Sequence, residues 1–306
     1  HEFRRNTRRR DLAWSSLQRR EAVTVFIPVD IAPQEIRDCL HEEVAQALGP
    51  LNALSRLEDS SFNDDNLHSV LTGFDMLILR TTYDPRLQNG MDRDQVAARL
   101  PAILTDLNPR GNSVRTRPYQ PSPRNWQDSI ERALAPAGSS AGRRTAANRA
   151  LAVAQDQGWQ DTRMGLSLFT AGRLAAPRDG DLALEAFLGA GEVYSARPAT
   201  QIHAAHVGMQ IAAFALASGE YEVALEIVNR FAPVAQRAEN AALLADLLFV
   251  RAAAQSALGQ DAAAAASLRD GLAWGQFGFR TEAEMRRRAA EIAALAPTSA
   301  ARRSAA

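Results

Sequence analysis

"ALASGEYEVALEIV", residues 215–228, and "SALGQDAAAAASLR", residues 256–269, carry one pattern twice. Ala217, Gly219 and Ala224 in the first stretch return as Ala257, Gly259 and Ala264 in the second, a period of 40 residues. In each copy an Ala-rich helix stops at the Gly, a short polar turn follows, and a second helix opens with Ala where the two helices cross. Gly is the usual residue at such a helix end, and a small side chain at the crossing lets two helices approach closely. The spacing therefore predicts stacked helix-turn-helix units.

This unit resembles the tetratricopeptide repeat, stretched beyond its common length of about 34 residues. An earlier unit around 145–193 fits in poorer register, and antiparallel helical packing without a true repeat is the alternative. Toward the N-terminus the text changes character. Residues 108–125, "NPRGNSVRTRPYQPSPRN", hold four prolines, four arginines and hardly any aliphatic residue, as a linker or surface strap would. Ahead of it, "AVTVFIPVD" (22–30) reads as a short edge strand cut by Pro28. A helix opens at Ala32–Pro33, repeats Ile36, Leu40, Val44 and Leu48, and stops at Gly49–Pro50. Two further helices are predicted near 66–80 and 93–107.

The expected fold class is mainly α: a small α+β zincin-like N-terminal domain plus a C-terminal α-helical tetratricopeptide-like array. The expected division is a basic arm (1–21), a peptidase-like domain (22–110), a Pro/Arg-rich strap with a short helix (111–143), and a helical-repeat domain with a disordered C-terminal tail (144–306).

Composition narrows the function classes. All 35 basic residues are Arg, balanced by 35 acids to a net charge of zero, so no whole-molecule field attracts nucleic acid. Arg4, Arg5, Arg8, Arg9 and Arg10 alone cluster, as a solvated arm would, contact with phosphates of nucleic acid or an acidic membrane being the alternative. No apolar run is long enough for a transmembrane segment, and the basic start lacks the apolar core of a secretory signal; residue 1 reads as an interior cut. Cys39 is the only cysteine, which excludes an internal disulfide.

The stretch "CLHEEVAQALGPLN" (39–52) has the spacing of a metzincin zinc helix, His-Glu-x-x-His-x-x-Gly-x-x-His. Over residues 42–52 it supplies Glu42, Glu43, Gln46, Gly49 and Asn52, so only the general-base Glu43 and the turn Gly49 keep their types. Zinc prefers imidazole or thiolate, whereas Glu42, Gln46 and Asn52 offer a carboxylate and two amides. Those metal positions read as empty, with no cofactor expected, zinc or another divalent cation being the alternative. On a helical projection the face bearing Glu35, Asp38, Glu42 and Gln46 looks outward or into a cleft, and the Ile36–Leu40–Val44–Leu48 face goes to the core.

Four motifs in order, "CLHEEVAQALGPLN", "SSFNDDN", "GFDMLILRTTYDPRLQNGM" and "VAARLPAIL", resemble the bacterial domain-of-unknown-function 2927 family of alphaproteobacteria. Glu43, Gln46, Leu48, Gly49 and Asn52 match its helix, Phe62, Asn63 and Asp64 its turn, and Tyr83, Asp84, Pro85, Arg86, Leu87, Gly90 and Met91 its block, over about residues 22–110. Ala53 stands where members tend to have Asp. The resemblance implies a peptidase-like fold without an established reaction, on proteins often exported to the cell envelope or periplasm; a cytoplasmic protein is the alternative.

Other residues have plainer readings. Asn63, Asp64, Asp65 and Asn66 suit a helix cap, a cation cradle being the alternative; Arg86 suits a pairing with Asp84 or a helix carboxylate; His203 and His206 read as two surface or groove histidines, a shared metal being the alternative; and Trp126, Trp159 and Trp274 suit packing between helices. The functional expectation is a non-catalytic scaffold or adaptor, with a protein or peptide partner on the helical-repeat face. The alternative is a metal-dependent hydrolase using Glu43 as general base.

Overall fold

The computed structural model describes residues 21–50, 57–63, 67–114 and 120–297, and every regular element among them is a helix. The N-terminal part holds α1 (Pro33–Ala47), α2 (Gly73–Thr82) and α3 (Arg93–Leu107). The stack comprises α4 (Arg124–Leu134), α5 (Ser140–Asp156), α6 (Thr162–Ala175), α7 (Gly180–Ser195), α8 (Gln201–Ala217), α9 (Tyr221–Arg237), α10 (Ala241–Ala257), α11 (Asp261–Gly278) and α12 (Glu282–Ala293). From α4 to α11 each helix packs on the next. α8 also touches α10, and α10 touches α12, so even-numbered helices form one layer and odd-numbered ones the other.

The repeat has a simple physical origin. α8, α9 and α10 are each 17 residues long and are joined by three-residue turns. Gly219 and Gly259 close α8 and α10 in the left-handed region (φ 83° and 74°). At each, two amides fold back to satisfy helix-end carbonyls: Gly219 N–H to Leu216 O and Glu220 N–H to Ala215 O, then Gly259 N–H to Ser256 O and Gln260 N–H to Gln255 O. Midway between them, Glu239 adopts the same conformation (φ 54°), with Asn240 N–H bonded to Ala235 O. The true spacing is thus one turn every 20 residues, from 219 to 239 to 259, with Glu where glycine would be expected.

Packing follows from residue size. Ala224 and Ala264, the predicted crossing residues, are buried, and α10 is apolar nearly all round, as a helix covered on every side must be. At Gly271 an added Cβ would lie 2.8 Å from the Phe249 ring. The other end of the stack is pinned by Arg163, 2% exposed, which lies 3.8 Å over Trp159, grips Asp161 at 2.7 Å and donates to Gln120 O. Trp126 stacks edge-on against Trp159 and donates to Ser167. α4 therefore belongs to the stack, which begins at Arg124, earlier than the composition suggests.

Two expectations need correction. The α+β zincin-like N-terminal domain is not formed: among the described residues there is no strand or sheet. Residues 22–30 run without regular structure, with Val23, Phe26 and Val29 exposed. β-branched composition marks a segment that fits a sheet surface, but among the described residues there is no neighbouring strand to complete a ladder. The α1 stripe is also turned away from its expected place: Leu40, Val44 and Leu48 are exposed, while Ala45 on the opposite face is buried with Phe62 and Leu79. No described helix is long and apolar enough to cross a membrane.

Candidate functional site

The inverted placement of α1 is explained by polar contacts near its start. Pro33 occupies the first turn, and Ala32 N–H is held by Glu35 Oε2 at 3.0 Å, which fixes the helix beginning. Gln34 then reaches the α9–α10 turn. Its Nε2 donates to Ser69 Oγ at 3.0 Å and Asn240 Oδ1 at 3.3 Å, and its Oε1 accepts from Ala242 N–H at 3.0 Å. One helical turn on, Arg37 donates to the Glu239 carboxylate at 3.0 Å and the Glu239 carbonyl at 2.8 Å. The one left-handed non-glycine residue among the described residues is therefore the one that receives α1.

Asn240 joins these contacts to the stack. Its Oδ1 also caps α10 by accepting from Leu243 N–H, and its Nδ2 lies 3.3 Å from His206 Nε2. Further along the seam, Arg197 pairs with Glu58 at 2.7 Å. The His68 ring meets His203 edge-on at 5.4 Å, and His203 in turn lies 4.9 Å from Tyr194. Four of the chain's five histidines thus gather at one boundary, because His41 and His206 line the same opening.

That opening is a cavity of about 580 Å³ between α1, the segment before α2, and helices α8, α10 and α11. Burial pushes the Asp38 carboxyl up to about 6, against the opposing pull of Arg37 and of hydrogen bonds from Gln34, Arg37 and Ser69. Asp246 is likewise raised by burial, although Arg288 holds both its oxygens. The Cys39 thiol is raised by burial and then by the carboxylates of Glu42, Asp38, Glu43 and Glu35, which makes it a poor thiolate.

The anticipated site residues are spread out. Glu42 lines the cavity and accepts from Gln46 Nε2 at 3.0 Å, while Glu43 is exposed. Gly49 is in a positive-φ conformation that brings it within 3.0 Å of a Thr82 methyl for any added Cβ. Phe62 is buried and Asn63 ends a 3₁₀ turn. Asn52 and Asp64 lie outside the described residues, as do the arginines of the arm and the C-terminal tail. Tyr83 is exposed and donates to Leu48 O at 2.8 Å; Met91 Sδ accepts from Arg99 at 3.3 Å. Arg86 grips both Asp84 oxygens and reaches Asp106 on α3 at 2.6 Å, which pulls Asp84 down to about 2. These are structural ties. Among the described residues no group of three or more His, Cys, Asp or Glu is arranged to hold a metal ion.

Residues that shape the seam were less visible in the sequence. Asp75, fully buried, takes Ser60 Oγ at 2.5 Å, Ser61 N–H and Thr72 N–H, and its signal is Thr72-x-x-Asp75 ahead of an apolar run. Gln34, Arg37, Glu239 and Asn240 carry no local signal.

Residues 1–102 match the family described as "Protein of unknown function (DUF2927)". The match ends inside α3, so it covers the part that contributes α1 to the seam and leaves the helical stack outside it. No curated protein and no solved structure matches the chain.

Proposed function

We propose that the protein is a non-catalytic scaffold: a tetratricopeptide-like array that holds a protein or peptide partner, with the DUF2927 region docked on it in the same chain. The observation that carries this reading is that the stack already accepts a helix. α1 is fixed to the α9–α10 turn by Gln34 and Arg37, through contacts to backbone groups that any suitably placed helix could use. Stacked hairpins give an extended face for such partners. The candidate general base, Glu43, is exposed, and the two would-be ligands Glu42 and Gln46 bond to each other along α1. An envelope location is proposed with this role, from the family resemblance.

The test is capture by the intact chain. Immobilised protein should retain a partner equally with and without a chelator, and equally in Glu43→Gln. Failure to retain any protein, together with chelator-sensitive peptide hydrolysis that disappears in Glu43→Gln, would overturn the reading.

A further inference from the structure

The seam cavity is lined by two chemically different sets of side chains. One is polar: Glu35, Asp38, Glu42 and Asp246 line it together with His41, His68 and His206, and no arginine among the described residues does. The other is apolar, formed by Val70, Met209, Leu243 and Phe279. Its volume, about 580 Å³, falls within the range of small-molecule sites, roughly 300–1,000 Å³.

The four carboxylates are not equivalent. Glu35 takes the Ala32 N–H at 3.0 Å, Glu42 takes Gln46 at 3.0 Å, and Asp246 takes Arg288 at 2.8 Å. The nitrogens hydrogen-bonded to Asp38, Gln34 Nε2 and Arg37 NH2, both stand at 3.4 Å, and each is committed more closely elsewhere, to Ser69 and to Glu239. A charge-assisted bond to a carboxylate normally closes to about 2.7–2.9 Å. Asp38 is thus a half-buried carboxylate on the cavity wall whose ion pair with Arg37 is long, at 3.4 Å, and shared with Glu239, and which also accepts a hydrogen bond from Ser69.

We propose that this cavity binds a small organic cation with an apolar body, an alkyl- or arylamine, whose charged end is held by Asp38 and whose body lies against Met209, Leu243 and Phe279. The ammonium supplies a closer charged partner than the shared Arg37 contact at 3.4 Å, and the apolar lining gains by covering hydrocarbon. Burial raises the Asp38 carboxyl to about 6, and a cation bound beside it would favour the ionised form and lower it again. Binding near pH 6 therefore releases a proton, and because His41, His68, His206, Glu35, Glu42 and Asp246 line the same cavity, the part of that release due to Asp38 is the part lost in Asp38→Asn.

Calorimetry on the full chain at pH 8 tests this with hexylamine and, as its anionic counterpart, hexanoate. Hexylamine should bind and hexanoate should not. Asp38→Asn should weaken hexylamine by about tenfold or more while its thermal midpoint stays equal or rises, and Glu222→Gln, an exposed change on α9, should bind as wild type does. At pH 6, titrations in buffers of different ionisation heat should report proton release. Absence of hexylamine binding at millimolar concentration, equal binding by Asp38→Asn, or equal binding of hexanoate would each overturn the proposal. None of these outcomes depends on whether a protein partner is captured.

Discussion

At Asp38 burial works against ionisation. Its carboxyl is raised from 3.8 to about 6, so the folded protein holds the proton more tightly than the unfolded chain does. Stability contributed by the protonated group is therefore present below 3.8 and is lost as pH rises toward 6, then stays constant above it. Asp38→Asn removes this loss. Denaturant titration should show a gain of about 1–2 kcal/mol at pH 7.5, discounted from the full shift for partial exposure, and no gain at pH 4; a loss at pH 7.5 would contradict the assignment. Arg163 presents the opposite case, a buried cation with every contact made. Arg163→Ala should cost about 3–5 kcal/mol, because Asp161 loses its bidentate partner and Trp159 its stacked guanidinium. A denaturation midpoint close to wild type would show that this pin is dispensable.

At the scale of elements, the three turns at 219, 239 and 259 form a natural experiment. Gly219→Ala and Gly259→Ala should each destabilise by about 1 kcal/mol, since a side chain in the left-handed region is strained. Glu239→Gly should relieve the same strain and stabilise by up to about 1 kcal/mol, offset by an exposed Arg37 ion pair worth about 0.5 kcal/mol. Equal signs in all three variants, measured by chemical denaturation, would refute a shared turn geometry. Gly271→Ala tests close packing instead: its Cβ meets the Phe249 ring, and a loss of about 1–3 kcal/mol is expected. These turns also show how far local sequence can be read. The glycines at 219 and 259 announce a 40-residue period, while the intervening turn is hidden because it uses Glu. The apolar period of α1 gives its limits to within a residue, yet not its orientation, because that is decided by Asn240 and Ala242, about 200 positions away. Residues 22–30 have strand composition and no strand among the described residues to pair with, so composition alone misleads there.

At the scale of the whole molecule, the helical stack was legible because its helices follow one another in sequence and each buries its face on its neighbour. The candidate site was legible only in part: Glu42, His41 and His206 could be noticed singly, but the cavity that collects them exists only once α1 is laid on α8, α10 and α11. The N-terminal core is small, centred on Ala45, Phe62 and Leu79, so docking on the stack is a large share of what orders that region. The most direct measurement of this account is hydrogen exchange at the Ala242 amide. The first amides of a helix have no acceptor within it, and here that of Ala242 is bonded to Gln34 Oε1. Protection at Ala242 in the wild-type protein, lost in Gln34→Ala while the interior of α10 remains protected, is the predicted result. Rapid exchange at Ala242 in the wild type, or protection unchanged by Gln34→Ala, would contradict the docking of α1 on the stack.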